Sequence, residues 1–185
     1  MPIIFVTSRR DKLEEAQQCI DIPLIAKDVE LTEIQSMNVA EIVRHKTEQA
    51  FQMIKQPLIV DDISLSLNAY SGFPGPFIKF LLSAGGGNSL LLKMLEQEKN
   101  RDASVTCTIG YHDGHDIHIF SGVTKGTIGH REAGTNGWGF DSVFIPEDAD
   151  ITYAQMTDEQ KAKVSFRARA LSLLKSHLQA HTAVV

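Results

Sequence analysis

Residues 57–67 read PLIVDDISLSL. Leu58, Ile59 and Val60 form a short apolar run of the kind that fills a buried strand. The run meets two adjacent carboxylates, Asp61 and Asp62, and then Ile63 to Leu67 alternates apolar with polar, the period of a half-buried strand. A carboxylate pair at the end of a buried strand suits a helix cap, an ion-pair partner or a metal ligand. The strand-like residues that follow argue against a cap. Two anions side by side repel unless a cation lies between or near them. Mg²⁺ is held by one or two carboxylates together with substrate phosphates and water. An ion pair and a metal site therefore both remain open, with Glu33 of the polar stretch LTEIQ a third oxygen donor.

Working outward, the chain alternates strand and helix patterns. Pro2 to Thr7 is an apolar strand. Leu13, Ala16, Cys19 and Ile20 fall at helical spacing. Ile22 to Ala26 reads as a second strand, and Val39 to Ile54 carries a helical stripe. The β-α-β-α-β order predicts an α/β architecture. SGFPGPF (71–77) is rich in turn residues. Pro76 to Ser83 and Ser89 to Gln97 read as helices joined by AGGGN. Ser104 to Tyr111 and Asp116 to Val123 flank HDGH, predicting a hairpin with an Asp-Gly turn. A further strand is expected over Gly126 to His130 and a closing helix over Val164 to Ala180.

The bulk properties exclude several classes. The 185 residues carry a formal charge of -5, so no long-range field draws nucleic acid. No run approaches the ~20 apolar residues of a membrane span. MPIIFVTSRR lacks the order of a signal peptide. Two cysteines, Cys19 and Cys107, lie in apolar patterns and read as small core residues rather than a disulfide. The expectation is a soluble, cytoplasmic protein of one domain, residues 1–185.

Three further clusters carry chemistry. In VTSRRDK, Ser8 and Asp11 fit a capping box, yet Arg9, Arg10 and Lys12 crowd a helix start where cations oppose the dipole. An anion bound at this end would reconcile them. GTNGWGFDSVF (134–144) combines glycines with two aromatic residues before Asp141. It reads either as a turn with Trp138 in the core or as an aromatic platform for a planar base. QKAKVSFRARAL places Lys161, Lys163, Arg167 and Arg169 at the start of the closing helix, as a solvated face or as part of a polyphosphate pocket. His112, His115 and His118 have metal-like spacing, but the intervening turn and the missing fourth ligand argue against zinc.

Taken in order, these pieces resemble the inosine triphosphate pyrophosphatase (Ham-type) family from about Ile3 to Leu178. The family's T-G-N-x-x-K is similar to Thr7-Ser8-Arg9-Arg10-Asp11-Lys12, and its L-P-E-x-Q to Leu31-Thr32-Glu33-Ile34-Gln35. Its acidic pair falls on Asp61-Asp62, and its G-x-P-G-x-x-x-K on Gly72 through Lys79. F-G-[WY]-D falls on Trp138-Gly139-Phe140-Asp141. K-x-x-x-S-H-R-x-x-A-L falls on Lys161 through Ser165, Phe166 and Arg167 to Leu171.

The resemblance implies an elongated, two-lobed α/β fold with a long, mixed, twisted sheet and a central cleft, assembled as a homodimer. It implies Mg²⁺-dependent cleavage of ITP, dITP and XTP to the monophosphate and pyrophosphate. By position, Thr7, Ser8, Arg9 and Lys12 hold phosphates with Lys46 and Lys79. Glu33 and Asp62 hold the metal, and Asp62 or Asp61 activates water. Phe140 stacks on the base. Trp138 and Gly139 belong to the same loop, and Asp141, Lys161, Phe166 and Arg167 read the base edge. Arg9, Gln160 and Phe166 replace the family's usual Asn, Glu and His, so nucleotide preference is the property expected to differ. The alternatives are a nucleotide-binding protein of this fold with weak or no hydrolysis, and a pyrophosphatase with shifted specificity.

Overall fold

The stretch from Leu58 to Leu67 is one uninterrupted ten-residue strand, β3. The acidic pair thus lies in mid-strand and not at a strand end. In this computed structural model, which describes residues 2–84 and 86–182, the remaining strands are β1 (Ile3–Val6), β2 (Leu24–Lys27), β4 (Pro74–Gly75), β5 (Asp102–His112), β6 (Ile117–Ile128) and β7 (Phe144–Pro146). The helices are α1 (Arg10–Cys19), α2 (Val39–Ile54), α3 (Ile78–Ser83), α4 (Asn88–Met94), α5 (Asp158–Val164) and α6 (Phe166–Thr182). Gly85 of the glycine loop and the last three residues lie outside the described residues.

The strands pair in the order β2-β1-β3-β5-β6-β7, with β4 beside β3. β1 runs parallel to β2 and to β3, whereas β4 and β7 run antiparallel to β3 and β6, so the sheet is mixed. The residues gather into two compact units. Of the described residues, 2–63, 107–122 and 167–182 form the first, and 64–84, 86–106 and 123–166 form the second. Each of β3, β5 and β6 contributes residues to both.

In the first unit, Ile4, Val6, Leu58 and Val60 pack with Ala50 of α2. The Asn38 side chain caps α2, accepting from the Ala40 amide at 3.0 Å. α2 lies close against β5 at Gly110, where a Cβ would come within 2.1 Å of Thr47 Oγ1. Only glycine allows that approach. The hairpin between β5 and β6 forms as the Asp-Gly pattern requires, with Asp113 Oδ1 accepting from the amides of His115 and Asp116 at 2.7 and 2.8 Å. His112 stacks on Phe51 and His118 bonds Asp113, which accounts for two of the three spaced histidines.

The second unit is built around Phe140, Phe144, Tyr153 and Phe166, whose rings meet at centroid distances of 5.2–6.4 Å. Three sequence expectations are corrected. Gly126 to His130 is no separate strand: Gly126 to Ile128 end β6, and Gly129 and His130 lie beyond it. The closing helix is broken at Ser165, whose extended backbone (φ -69°, ψ 125°) separates α5 from α6. Ser8 caps nothing: Arg9 stands at the N-cap of α1, its amide turned to Thr7 Oγ1 at 3.1 Å.

Candidate active site

In the first unit two charge clusters lie on β3, one for each aspartate. Successive strand residues point to opposite faces. The Asp61 side chain is buried, 3% exposed. It accepts from Lys12 Nζ at 2.7 Å and from Arg167 Nε at 3.3 Å, and Arg167 Nη1 continues to Glu15 Oε2 at 2.6 Å. α1, β3 and α6 are thereby tied through two cations and two anions. Burial alone would raise the Asp61 carboxyl, but Lys12 and then Arg167 outweigh it and hold the group below the usual carboxylate range. Burial pushes up the thiol of neighbouring Cys107, and Asp61 adds to that.

The Asp62 side chain is 26% exposed. It shares the ammonium of Lys46, on α2, with Glu33: Nζ lies 3.2 Å from Asp62 Oδ2 and 2.8 Å from Glu33 Oε1. Burial alone would depress the Lys46 ammonium, but Asp62 and then Glu33 reverse the sign and raise it. Two carboxylates thus converge on one cation. Among the described residues no group of three or more His, Cys, Asp or Glu is arranged to hold a metal ion. Two carboxylates match the donor set of Mg²⁺, which completes its octahedron with phosphate and water.

At the start of α1, Arg9 pairs with Asp11, and Lys12 reaches inward to Asp61. Thr7 is half-buried and Ser8 exposed.

In the second unit, the turn Gly137–Ser142 closes on Asp141. Its Oδ2 accepts from the Trp138 amide at 2.9 Å and from Lys161 Nζ at 2.7 Å. Gly137 has φ +80°, and a Cβ there would lie 2.1 Å from the same oxygen. The two aromatics of the turn divide. Phe140 is 1% exposed and Trp138 36% exposed. Phe140, expected to stack on a base, therefore has no open face, and Trp138 carries the accessible indole. Phe166 is 5% exposed and packs on Phe140 and Tyr153. An aromatic ring at the position of the family histidine thus joins the core. Gln160 closes a capping box with Thr157, at 2.9 and 3.2 Å. Lys79 lies exposed on α3.

The structure accordingly brings Lys12, Asp61 and Arg167 together, Glu33, Lys46 and Asp62 together, and Trp138, Gly139, Phe140, Asp141 and Lys161 together. Glu15, the second partner of Arg167, was not foreseen. It stands beside the apolar stripe of α1 and carries no pattern of its own.

The chain belongs to the Ham1 family, which matches it over residues 3–177. It is 37% identical over 174 residues to a dITP/XTP pyrophosphatase of Thermococcus kodakarensis, covering 92% of this chain and 94% of that protein. It is 38% identical over 179 residues to inosine triphosphate pyrophosphatase 2 of Trypanosoma cruzi, covering 95% and 91%. Among solved structures, the Ham1 protein of Staphylococcus aureus is similar with a TM-score of 0.88 at 26% identity, covering 98% of this chain and 100% of the other.

Proposed function

We propose that the chain hydrolyses deaminated purine nucleoside triphosphates, ITP, dITP and XTP, to the monophosphate and pyrophosphate. The observation that carries this reading is the convergence of Glu33 and Asp62 on the Lys46 ammonium. The names of the relatives at 37% and 38% identity supply the substrate class. Glu33 and Asp62 would hold Mg²⁺, which when bound neutralises phosphate charge and makes water more acidic.

The remaining work falls to the chain's own groups. Anhydride cleavage needs charge neutralisation and positioning more than a strong nucleophile. Thr7, Ser8 and Lys12, at the entry to α1, hold the polyphosphate, and Lys79, exposed on α3, adds a positive charge. Asp62, with an accessible carboxylate, takes the proton of the attacking water. Asp61, locked between Lys12 and Arg167, positions Lys12 and does not act as the base. Trp138 offers the indole face on which the base stacks. Lys161, oriented by Asp141, donates to the 6-oxo group of hypoxanthine or xanthine. Adenine presents an amine there, leaving two donors face to face, a mismatch worth about 1–3 kcal/mol.

By the same resemblance the protein acts in the cytoplasm as a homodimer. Among the described residues no helix is long and apolar enough to cross a membrane. Light scattering at one chain mass would remove the dimer from this reading.

The test is pyrophosphate release from a panel of standard and deaminated triphosphates with Mg²⁺. Faster turnover of ITP and XTP than of ATP and GTP is expected, with Asp62→Asn lowering it by at least about a hundredfold. Orthophosphate as the product, or near-normal turnover by Asp62→Asn, would overturn the reading. Thermal stabilisation by ITP without pyrophosphate release would reduce the role to binding.

A further inference from the structure

The turn Gly137–Ser142 is held from a second side, away from Asp141. Asn88, the first residue of α4, donates Nδ2 to the Gly139 carbonyl at 2.8 Å, to Ser142 Oγ at 2.9 Å and to Glu132 Oε2 at 3.1 Å. Ser142 Oγ in turn donates to Glu132 Oε2 at 2.7 Å. A carbonyl and a carboxylate only accept, so the amide has one possible orientation. Reversing it would set oxygen against oxygen twice. In this orientation Oδ1 is buried and has no partner among the described residues.

An unsatisfied buried acceptor is disfavoured, and persists where the surroundings determine it. Asparagine at a helix start commonly caps by accepting a backbone amide. Asn88 does the reverse: Gly87 stands at the N-cap, and Asn88 spends its donors on the turn. The Glu132 carboxyl is held below its usual range by Ser142 and then by Asn88, so the acceptor stays ionised.

We propose that Asn88 is a positioning residue for base recognition, setting the geometry of the turn that carries Trp138 and Asp141 through the Gly139 carbonyl and the Ser142–Glu132 pair. The proposal rests on the assignment of that turn to the base. Asn88 touches no reacting atom. It fixes where the indole and the Asp141–Lys161 pair stand before a nucleotide arrives, which is the preorganisation that lowers the cost of binding.

Asn88→Asp tests this without changing shape. The substitution removes both N–H donors and places a second carboxyl against that of Glu132. Trp138 is the chain's single tryptophan, so its emission reports the turn directly, with or without turnover. At pH 8 the variant is expected to shift the Trp138 emission and to raise KM for ITP by about tenfold while kcat changes less than about threefold. On acidification the two carboxyls share a proton and the shift should reverse, while the emission of the unsubstituted protein stays level over the same range.

Ser142→Ala is the second variant, for the case in which Asn88→Asp does not fold. It removes the Ser142 hydroxyl's bonds to Glu132 and to Asn88 and leaves the Asn88 bonds to the Gly139 carbonyl and to Glu132, and a smaller shift in the same direction is expected. Unchanged emission in a folded variant, or a fall in kcat with KM unaltered, would overturn the proposal. If the unsubstituted protein releases no pyrophosphate from ITP, the functional reading fails. The emission and its pH reversal then still decide whether Asn88 sets the turn.

Discussion

Asp61 and Asp62 adjoin in β3 and occupy opposite electrostatic settings. Asp61 is enclosed and tied to Lys12 and Arg167, whereas Asp62 is partly open and shares Lys46 with Glu33. The alternation of a strand sorts two identical side chains into an enclosed and a partly open setting.

Removing the Asp61 charge should therefore be a stability lesion. Asp61→Asn leaves Lys12 and Arg167 facing a neutral amide in a buried setting, and breaking such a pair costs about 3–5 kcal/mol. A denaturant melt checks it. Asp62→Asn, at a half-open position, should shift the same melt by less than about 1 kcal/mol. Equal losses from the two variants would contradict the division of roles.

The pH dependence follows from the same carboxyl. The folded protein holds Asp61 below its ordinary value, so its contribution is fully present above the unfolded pKa of about 3.9. It is lost as pH falls from there through the lower folded value. Melts between pH 5 and pH 2 (a range set by that window, about 3.9 and below) should show a steep loss in the unsubstituted protein. The loss should be shallower in Asp61→Asn, because the unfolded state no longer takes up that extra proton.

Gln160, where the family usually has glutamate, should be interchangeable with it. Both side chains can accept the Thr157 amide in the capping box. Gln160→Glu is expected to stay within about 0.5 kcal/mol of the parent by thermal melt, and Gln160→Ala to lose about 0.5–1 kcal/mol. The ratio of ITP to XTP turnover should be the same in all three. A changed ratio would give this position a part in substrate choice.

Cys107 should resist alkylation in the folded protein. It is fully buried, and its thiol is raised by burial and by Asp61. Iodoacetamide at pH 8 followed by mass spectrometry should leave Cys107 unmodified until denaturant is added. Rapid labelling under native conditions would mean that the β5 interior opens readily.

How legible these features were depended on whether local pattern or distant packing decided them. α2 is readable residue for residue, from Val39 to Ile54, because an apolar stripe runs its whole length. The apolar run alone ends β3 at Val60, since two charges in mid-strand interrupt it, and the Lys12 and Arg167 that neutralise one of them come from far along the chain. The pairing of Glu33 with Asp62 was legible as chemistry, but the lysine between them was not. Trp138 and Phe140 could not be told apart in sequence. Which ring turns inward is set by Phe144 and Phe166, and neither periodicity nor composition records that. The break at Ser165 was hidden because the apolar spacing continues across it.

Because the polypeptide leaves the first unit at Ile63, returns at Cys107, leaves again at Gly122 and returns at Arg167, neither unit is a continuous stretch of gene. No single cut releases either of them whole. Glu33 and Trp138 belong to units that interleave along the chain, so neither residue can be moved into another protein with the whole of its unit as one continuous module.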